Sequence, residues 1–216
     1  MTGDAPSHDQ HSAASRRSLR DLAAAPPPVL DAALPPSEAR ARLASAQFGL
    51  VVDGTGAVLG LVTPDGLSDA PRRATALTAL GVPLLPAVLV PADTELAVLA
   101  AHPDAITLLD LLDDDPLLVV VEDIGTETPL GVLPVELIDR YLATQYRPPS
   151  PTLGEQGPTR DVGLPWPSRL PLARVVCQAP DCGEVNELRR FERTRPPYCL
   201  RQPPRHALEL PRPGQR

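Results

Sequence analysis

The chain has 216 residues, 43% apolar and 22% charged, enough for one domain of ordinary size or two small ones; with 3% aromatics and 29 prolines, the core must be aliphatic and Pro-rich stretches must lie outside it. No apolar run reaches the ~18 residues of a membrane span, and the first twenty residues lack the apolar stretch of a secretory signal, so a cytoplasmic protein with no membrane partner is expected. All 20 basic residues are Arg, the bias of a GC-rich bacterial genome, and they are unevenly spread: residues 1–150 hold 9 Arg and 20 acidic residues (net −11), residues 151–216 hold 11 Arg and 7 (net +4), which leaves only the last third able to meet nucleic acid.

Residues 1–25 carry Ser, Ala, His, Asp and Arg without an apolar period and read as a disordered arm. The core begins after them. Pro35 and Pro36 mark the start of a helix over 38–46, with Ser37 as its N-cap and Ala39, Ala41, Leu43 and Ala44 favouring it. Residues 48–53 and 57–62 are apolar runs about the turn Gly54-Thr55-Gly56, which predicts a buried hairpin. Thr63 then caps a helix that has Pro64 in its first position. The order helix, strand, strand, helix comes again: helices over 94–101 and 105–112, strands over 117–122 and 129–133 about a turn at 123–128, and a closing helix over 135–142. A repeat of ~60 residues implies two related modules, here 26–82 and 83–145, in a mixed α/β (α+β) fold.

The pattern of an apolar strand, Val51-Val52-Asp53-Gly54 and a turn, then Val58-Leu59-Gly60-Leu61-Val62-Thr63 and a helix, resembles the second half of a cystathionine-β-synthase (CBS) motif. Two in tandem resemble a CBS pair, or Bateman module, over residues 26–145. The resemblance implies small sheets packed on helices, a pseudo-symmetric pair that dimerises, and a regulatory role with an adenine nucleotide or related metabolite in a cleft. That family's nucleotide signature is Gly-apolar-apolar-Thr-x-x-Asp, whose Thr meets phosphate at a helix N-terminus and whose Asp holds the ribose. Carried over, it marks Gly60, Thr63 and Gly131 as ligand-binding candidates, with Asp65 as the nearest acid. Gly66 stands where the Asp belongs, and Asp65, one residue early, is rotated by about 100° on a helix. The second copy, Gly131-Val132-Leu133-Pro134-Val135-Glu136-Leu137, lacks both the Thr and the Asp.

Residues 146–171 form a Pro-rich linker with seven prolines between 147 and 171. Beyond it, 172–211 reads as a separate small unit that holds Cys177, Cys182, Cys199 and His206, spaced C-x4-C, sixteen residues, C-x6-H. Three thiols and an imidazole are the donor set of a closed, structural Zn2+ site, and a unit of ~40 residues needs such a metal to fold. Gly183 after Cys182 suits a knuckle turn whose amides point at a thiolate, and the apolar strand before Cys177 resembles the first strand of a zinc ribbon. Pro203 and Pro204 precede His206, so a carboxylate or a partner's residue is the alternative fourth ligand.

No catalytic constellation can be assembled. His8 and His11 fall in the arm, His102 stands beside Pro103, Asp113-Asp114-Asp115 reads as a solvated loop, and no phosphate-binding loop with a Lys exists. The expected function is therefore non-catalytic: a regulatory or adaptor protein in which a CBS pair is coupled to a zinc ribbon that binds a protein partner. The alternative makes the pair a dimerisation scaffold and lets the Arg-rich ribbon bind DNA or RNA.

Overall fold

The computed structural model describes residues 17–79, 81–102, 107, 117–145, 172–180, 182–192, 195, 197–201 and 206–208. Among them the elements run α1 Leu19–Leu22, β1 Val29–Asp31, α2 Pro36–Leu43, β2 Gly49–Val52, β3 Val58–Val62, α3 Pro64–Asp69, β4 Ala87–Pro91, α4 Leu96–Ala101, β5 Leu117–Val121, β6 Pro129–Pro134, α5 Glu136–Gln145, β7 Leu172–Val176 and β8 Val185–Leu188. The fold is mixed α/β. The expected linker and most of the expected 105–112 helix lie outside the described residues.

Each module is a strand, a helix, a hairpin and a closing helix. The first sheet has the order β1-β2-β3, with β1 parallel to β2 and β2 antiparallel to β3. The second repeats this as β4-β5-β6. The correspondence extends to single residues: Val51 faces Gly60 and Val120 faces Gly131, and in both hairpins the register slips at the next pair, Val52 with Val58 and Val121 with Pro129. One extra residue at the same place in both copies is a shared β-bulge. The opening strands β1 and β4 are missing from the helix-strand-strand-helix order expected from sequence. Val29-Leu30-Asp31 is too short to carry a period, and Pro86 and Pro91 bracket the Val-Leu-Val run of β4.

The hairpins form for local reasons. The Asp53 carboxylate accepts from the Thr55 amide (2.8 Å), the Thr55 hydroxyl (2.6 Å) and the Ala57 amide (3.0 Å), an Asx-type turn. Asp123 does the same for the Gly125 amide at 2.6 Å. Pro129 and Pro134 bound β6, an edge strand, where a missing donor is tolerated. Pro36, not Ser37, opens α2; the cap position belongs to Pro35, and Ser37 follows inside the first turn.

The modules are interlocked by the segments that lead into their first strands. Ala24, ahead of β1, makes a two-way backbone bridge with Val132 of β6 (2.9 and 3.1 Å). Leu85, ahead of β4, makes the equivalent bridge with Leu61 of β3 (2.8 and 3.0 Å). Each module thus lends a residue to the other's last strand, at equivalent positions. The glycines beside these bridges are needed for close approach: a Cβ on Gly60 would lie 2.7 Å from the Leu85 carbonyl oxygen, and one on Gly131 would lie 2.2 Å from that of Ala24. Residues 17–25, expected to belong to a disordered arm, are held here as well. Leu19 is wholly buried among Val88, Val90, Leu99 and Ile138, and its amide donates to the Thr94 carbonyl at 2.8 Å. One leucine without a period gives no sequence signal but fills one hole.

The segment from 172 onward does not stand apart as expected; it extends the second sheet to β6-β5-β4-β7-β8. Leu172, Ala173 and Arg174 of β7 pair antiparallel with Leu89, Val88 and Ala87 of β4. Side chains alternate along β7, as a strand requires. Leu172 packs with Leu50, Val58 and Leu61, and Val176 with Leu30, Val51 and Val62, all from the first module. Ala173 faces the other way, into the second module's core with Leu118 and Leu133. Leu172, Val175 and Val176 predict a strand beside the cysteines, but nothing in a sequence says which edge it will join.

Gly131→Val should therefore lower stability by about 1–3 kcal/mol, read as a fall in the urea midpoint, while Gly54→Ala, with open space around its Cβ, should leave it within about 0.5 kcal/mol. Equal effects at the two sites would disprove the close-approach account.

Candidate functional site

Two groups of polar side chains stand out. The first is the cysteine and histidine set. Cys177 follows directly on β7, and Cys182 lies in the turn before β8. The Cys177 amide donates to the Glu184 carbonyl at 2.8 Å and the Cys182 amide to that of Ala179 at 3.1 Å, which closes a tight knuckle. Gly183 takes φ +65 there, a left-handed conformation that suits glycine. Backbone N–H groups two residues on, at Ala179 and Glu184, bond to the sulfurs of Cys177 and Cys182. A second loop brings the other two donors: the Cys199 amide donates to the His206 carbonyl (3.0 Å) and the Leu208 amide to that of Pro197 (2.8 Å).

All four donor atoms lie within 4.8 Å of one another. His206 Nε2 is 2.9 Å from Cys177 Sγ, and the sulfurs of Cys182 and Cys199 are 3.5 Å apart. A tetrahedron with zinc-to-sulfur bonds of ~2.3 Å separates its corners by roughly 3.8 Å; both spacings here are shorter than that, and the four donors are near enough to one another to share one ion. The donor set is soft and fills every position of a four-coordinate ion. Burial pushes the Cys177 thiol up to about 12, helped by the two neighbouring thiols and opposed by the Ala179 amide. For Cys182 burial acts upward too, but the Glu184 amide, the other thiols and Arg201 outweigh it and hold the group below its ordinary value. Three such thiols gathered in one place favour a cation that can displace their protons.

Asn186 of β8 ties the two loops together, and sequence reading missed it. It is 1% exposed; its Nδ2 donates to the Glu184 carbonyl at 2.9 Å and its Oδ1 accepts from the Leu200 amide at 2.7 Å. The same Nδ2 is 3.6 Å from Cys199 Sγ. One side chain thus bonds backbone beside Cys182 and beside Cys199. Its signal in the sequence is faint: a polar residue at the inward position of a short strand. Arg201 supports the knuckle from outside, donating to the Cys182 carbonyl at 3.1 Å.

The second group joins both modules and β7. Glu127, in the β5–β6 turn, is buried and sits at φ +50, a region costly for a residue with a Cβ. Its Oε2 accepts from the Val58 amide of β3 at 2.9 Å, and its Oε1 accepts from Arg174 Nη2. Arg174 also donates to the Val58 carbonyl at 3.3 Å and to Glu187 of β8 at 2.8 Å. Burial raises the Glu127 carboxyl above its ordinary value; the Val58 amide and Arg174 pull it down, while Glu187 and Asp53 add to the rise. A lone Glu in a turn carries no sequence signal for such a role.

Of the four ligand candidates, Gly60, Thr63 and Asp65 belong to the first module and Gly131 to the second. Gly60 and Gly131 lie in different modules, each buried beneath the other module's lead-in segment. The Thr63 hydroxyl accepts from the Gly66 amide at 3.0 Å as the cap of α3. Asp65 is exposed in the first turn of that six-residue helix. Gly66, at the position of the signature Asp, faces Pro83: a Cβ there would lie 3.0 Å from the proline ring. His102 is buried at the end of α4.

No protein-family model and no curated protein matches the sequence. Solved structures overlap its fold. One is the CBS pair domain of a putative Mg2+ transporter from Shewanella oneidensis, 14% identical with a TM-score of 0.42 over 67% of this chain and 82% of that one. Another is a CBS domain-containing protein of unknown function from Kribbella flavida, 15% identical with a TM-score of 0.42 over 58% and 99%. A third is the CBS domain of a bacterial CNNM/CorC family Mg2+ transporter in complex with ATP, 10% identical with a TM-score of 0.44 over 65% and 100%. The structural neighbours are CBS-domain pairs. Similarity of this degree bears on neither ligand nor partner. None of the described helices is long and apolar enough to cross a membrane.

Asn186→Ala should cost about 1–2 kcal/mol, because it removes two part-buried hydrogen bonds that tie the loops, one of them the bond that serves the Leu200 amide. Chemical denaturation checks this, and a change below about 0.5 kcal/mol would show that water replaces the side chain. Stability should also fall as pH rises from 4.5, the ordinary Glu value, through the raised pKa of Glu127. Over that window the folded protein keeps a proton that the unfolded chain has lost. Glu127→Gln should flatten this slope in urea unfolding at several pH values; equal slopes would place the Glu127 pKa at its ordinary value.

Proposed function

We propose that this chain is a non-catalytic regulatory protein whose CBS-like pair serves as a body for a zinc-stapled ribbon, and that the ribbon meets a protein partner. The observation that carries the proposal is the closed donor set of Cys177, Cys182, Cys199 and His206. A bound zinc ion would supply four strong bonds between two loops that otherwise share little core. Cys177 and Cys182 would hold it from the β7–β8 knuckle, Cys199 and His206 from the second loop. With every position taken by protein, no open place remains for water or substrate, which is the mark of a structural site rather than a catalytic one.

Tyr198 and Leu200 support the partner reading. They flank buried Cys199 and are 66% and 68% exposed, apolar surface on both sides of a ligand that a partner could cover. CBS-domain proteins are commonly regulatory, and the resemblance implies an adenine nucleotide as the ligand. Here the residues of that signature serve the fold: Thr63 caps a helix and the two glycines admit a crossing chain. The pair therefore acts as scaffold in this proposal.

Protein purified without chelators should carry about one zinc per chain, and Cys199→Ser or removal of the ion should unfold the ribbon, since structural zinc supplies ~10–16 kcal/mol in such small units. Elemental analysis and thermal unfolding with and without chelator read this. Metal-free protein whose melting is indifferent to added zinc would sink the proposal. A panel of AMP, ADP, ATP and S-adenosylmethionine should leave the melting temperature unmoved. A rise of ~5–10 °C that Thr63→Ala abolishes would instead make the pair a nucleotide sensor.

A further inference from the structure

We infer that metal occupancy of the Cys3His site sets how tightly the two modules are held together, with β7 and Arg174 as the connecting parts. The inference rests on the zinc reading above and adds a consequence for the body of the protein.

The buried apolar cluster of the ribbon consists of Cys177, Cys199 and Leu208, with Ala179, Cys182 and Leu188 against it. Three of these are the candidate metal ligands, so among the described residues the two loops that carry them have scarcely any core apart from that site. Loss of the ion removes what holds both loops, and ordering of the β7–β8 hairpin weakens with it. The hairpin is the same piece of chain that grips the body. Cys177 is the residue after β7, and its amide bond to the Glu184 carbonyl at 2.8 Å is the last rung of the β7–β8 ladder.

Three residues before Cys177, Arg174 faces Glu187 across that ladder, and Glu187 accepts from it at 2.8 Å. β8 thereby orients the guanidinium. The other bonds of Arg174 run to the Val58 carbonyl of the first module and the Glu127 carboxylate of the second. Glu127 in turn accepts from the Val58 amide at 2.9 Å. A continuous series of bonded groups thus leads from the ligands through β8 and Arg174 to the place where β3 meets the β5–β6 turn. The apolar contacts run the same way, for Leu172 and Val176 pack on the first module and Ala173 on the second. When β7 loosens, Glu127 keeps a buried carboxylate without its cation, at a strained backbone conformation, and its hold on Val58 is weakened.

The test is amide exchange on the full chain by NMR, zinc-loaded and after chelation, with zinc content measured on the same samples. The Val58 amide and the amides of 123–128 should exchange about tenfold faster or more after chelation, the size expected for losing a charge-assisted hydrogen bond, while β2 stays protected. Zinc-loaded Arg174→Gln should match chelated wild type at Val58, still carry one ion, and no longer respond to chelator there. If chelation speeds exchange in 177–186 but leaves Val58 and 123–128 unchanged, the coupling is overturned although the zinc reading stands. Loss of protection throughout, β2 included, overturns it too, by making zinc a requirement of the whole fold. Protein that binds no zinc defeats both readings, and the zinc content separates that result from the others.

Discussion

The arrangement of this molecule depends on one guanidinium. Arg174 reaches a carbonyl of the first module, a buried carboxylate of the second and a carboxylate of its own hairpin. Desolvating a charge is expensive, and the attraction within a buried pair offsets that cost only where the remaining polar atoms are also satisfied. Here the Val58 amide supplies the second bond to Glu127, while Arg174 Nε is buried without a partner among the described residues. Such a cluster adds little net stability compared with an apolar plug. It does demand one relative placement of three chain segments, since any other leaves a charge stranded. The left-handed backbone at Glu127 fits this view, because local strain persists only where the surroundings over-determine it.

Around that cluster the two modules repeat one another closely enough to share a bulge and a crossing. The reciprocal bridges of Ala24 with Val132 and Leu85 with Leu61 make each module's last strand partly the property of the other. Gly60 and Gly131 are the places where this crossing is tightest. A residue type associated with ligand approach in the resembled motif is thus needed here for chain approach, since a backbone that passes within van der Waals distance leaves no room for a Cβ. The symmetry is broken where β7 joins: among the described strands it pairs with the edge of β4 and not with β1, and its Leu172 side chain lies in one cluster with Leu50 and Val58 of the first sheet.

The ribbon shows the reverse economy. Its donors are spread over thirty residues of chain, from Cys177 to His206, yet short-range geometry brings them together. A knuckle turn with a left-handed glycine presents one pair, a backbone bridge at Cys199 and His206 the other, and a single buried asparagine fixes the distance between the loops.

The hairpins were legible in the sequence, because apolar runs about Asp-Gly-Thr-Gly and Asp-Ile-Gly-Thr leave few alternatives, and so was the Thr63 cap, whose bond is to an amide three residues away. The repeat could be read from the matched strands, and the Cys3His set from donor count alone, including His206 despite the prolines before it. These are properties of local chemistry and spacing. The three-residue β1, the burial of Leu19, the role of Glu127 and the grip of Asn186 were not legible, for each depends on what lies opposite. Above all, the sequence by itself determined that an apolar strand precedes Cys177; only the tertiary structure decided that it would join β4. A strand's hydrogen bonds are the same for every partner, and its edge is chosen by the side chains it must bury on both faces at once.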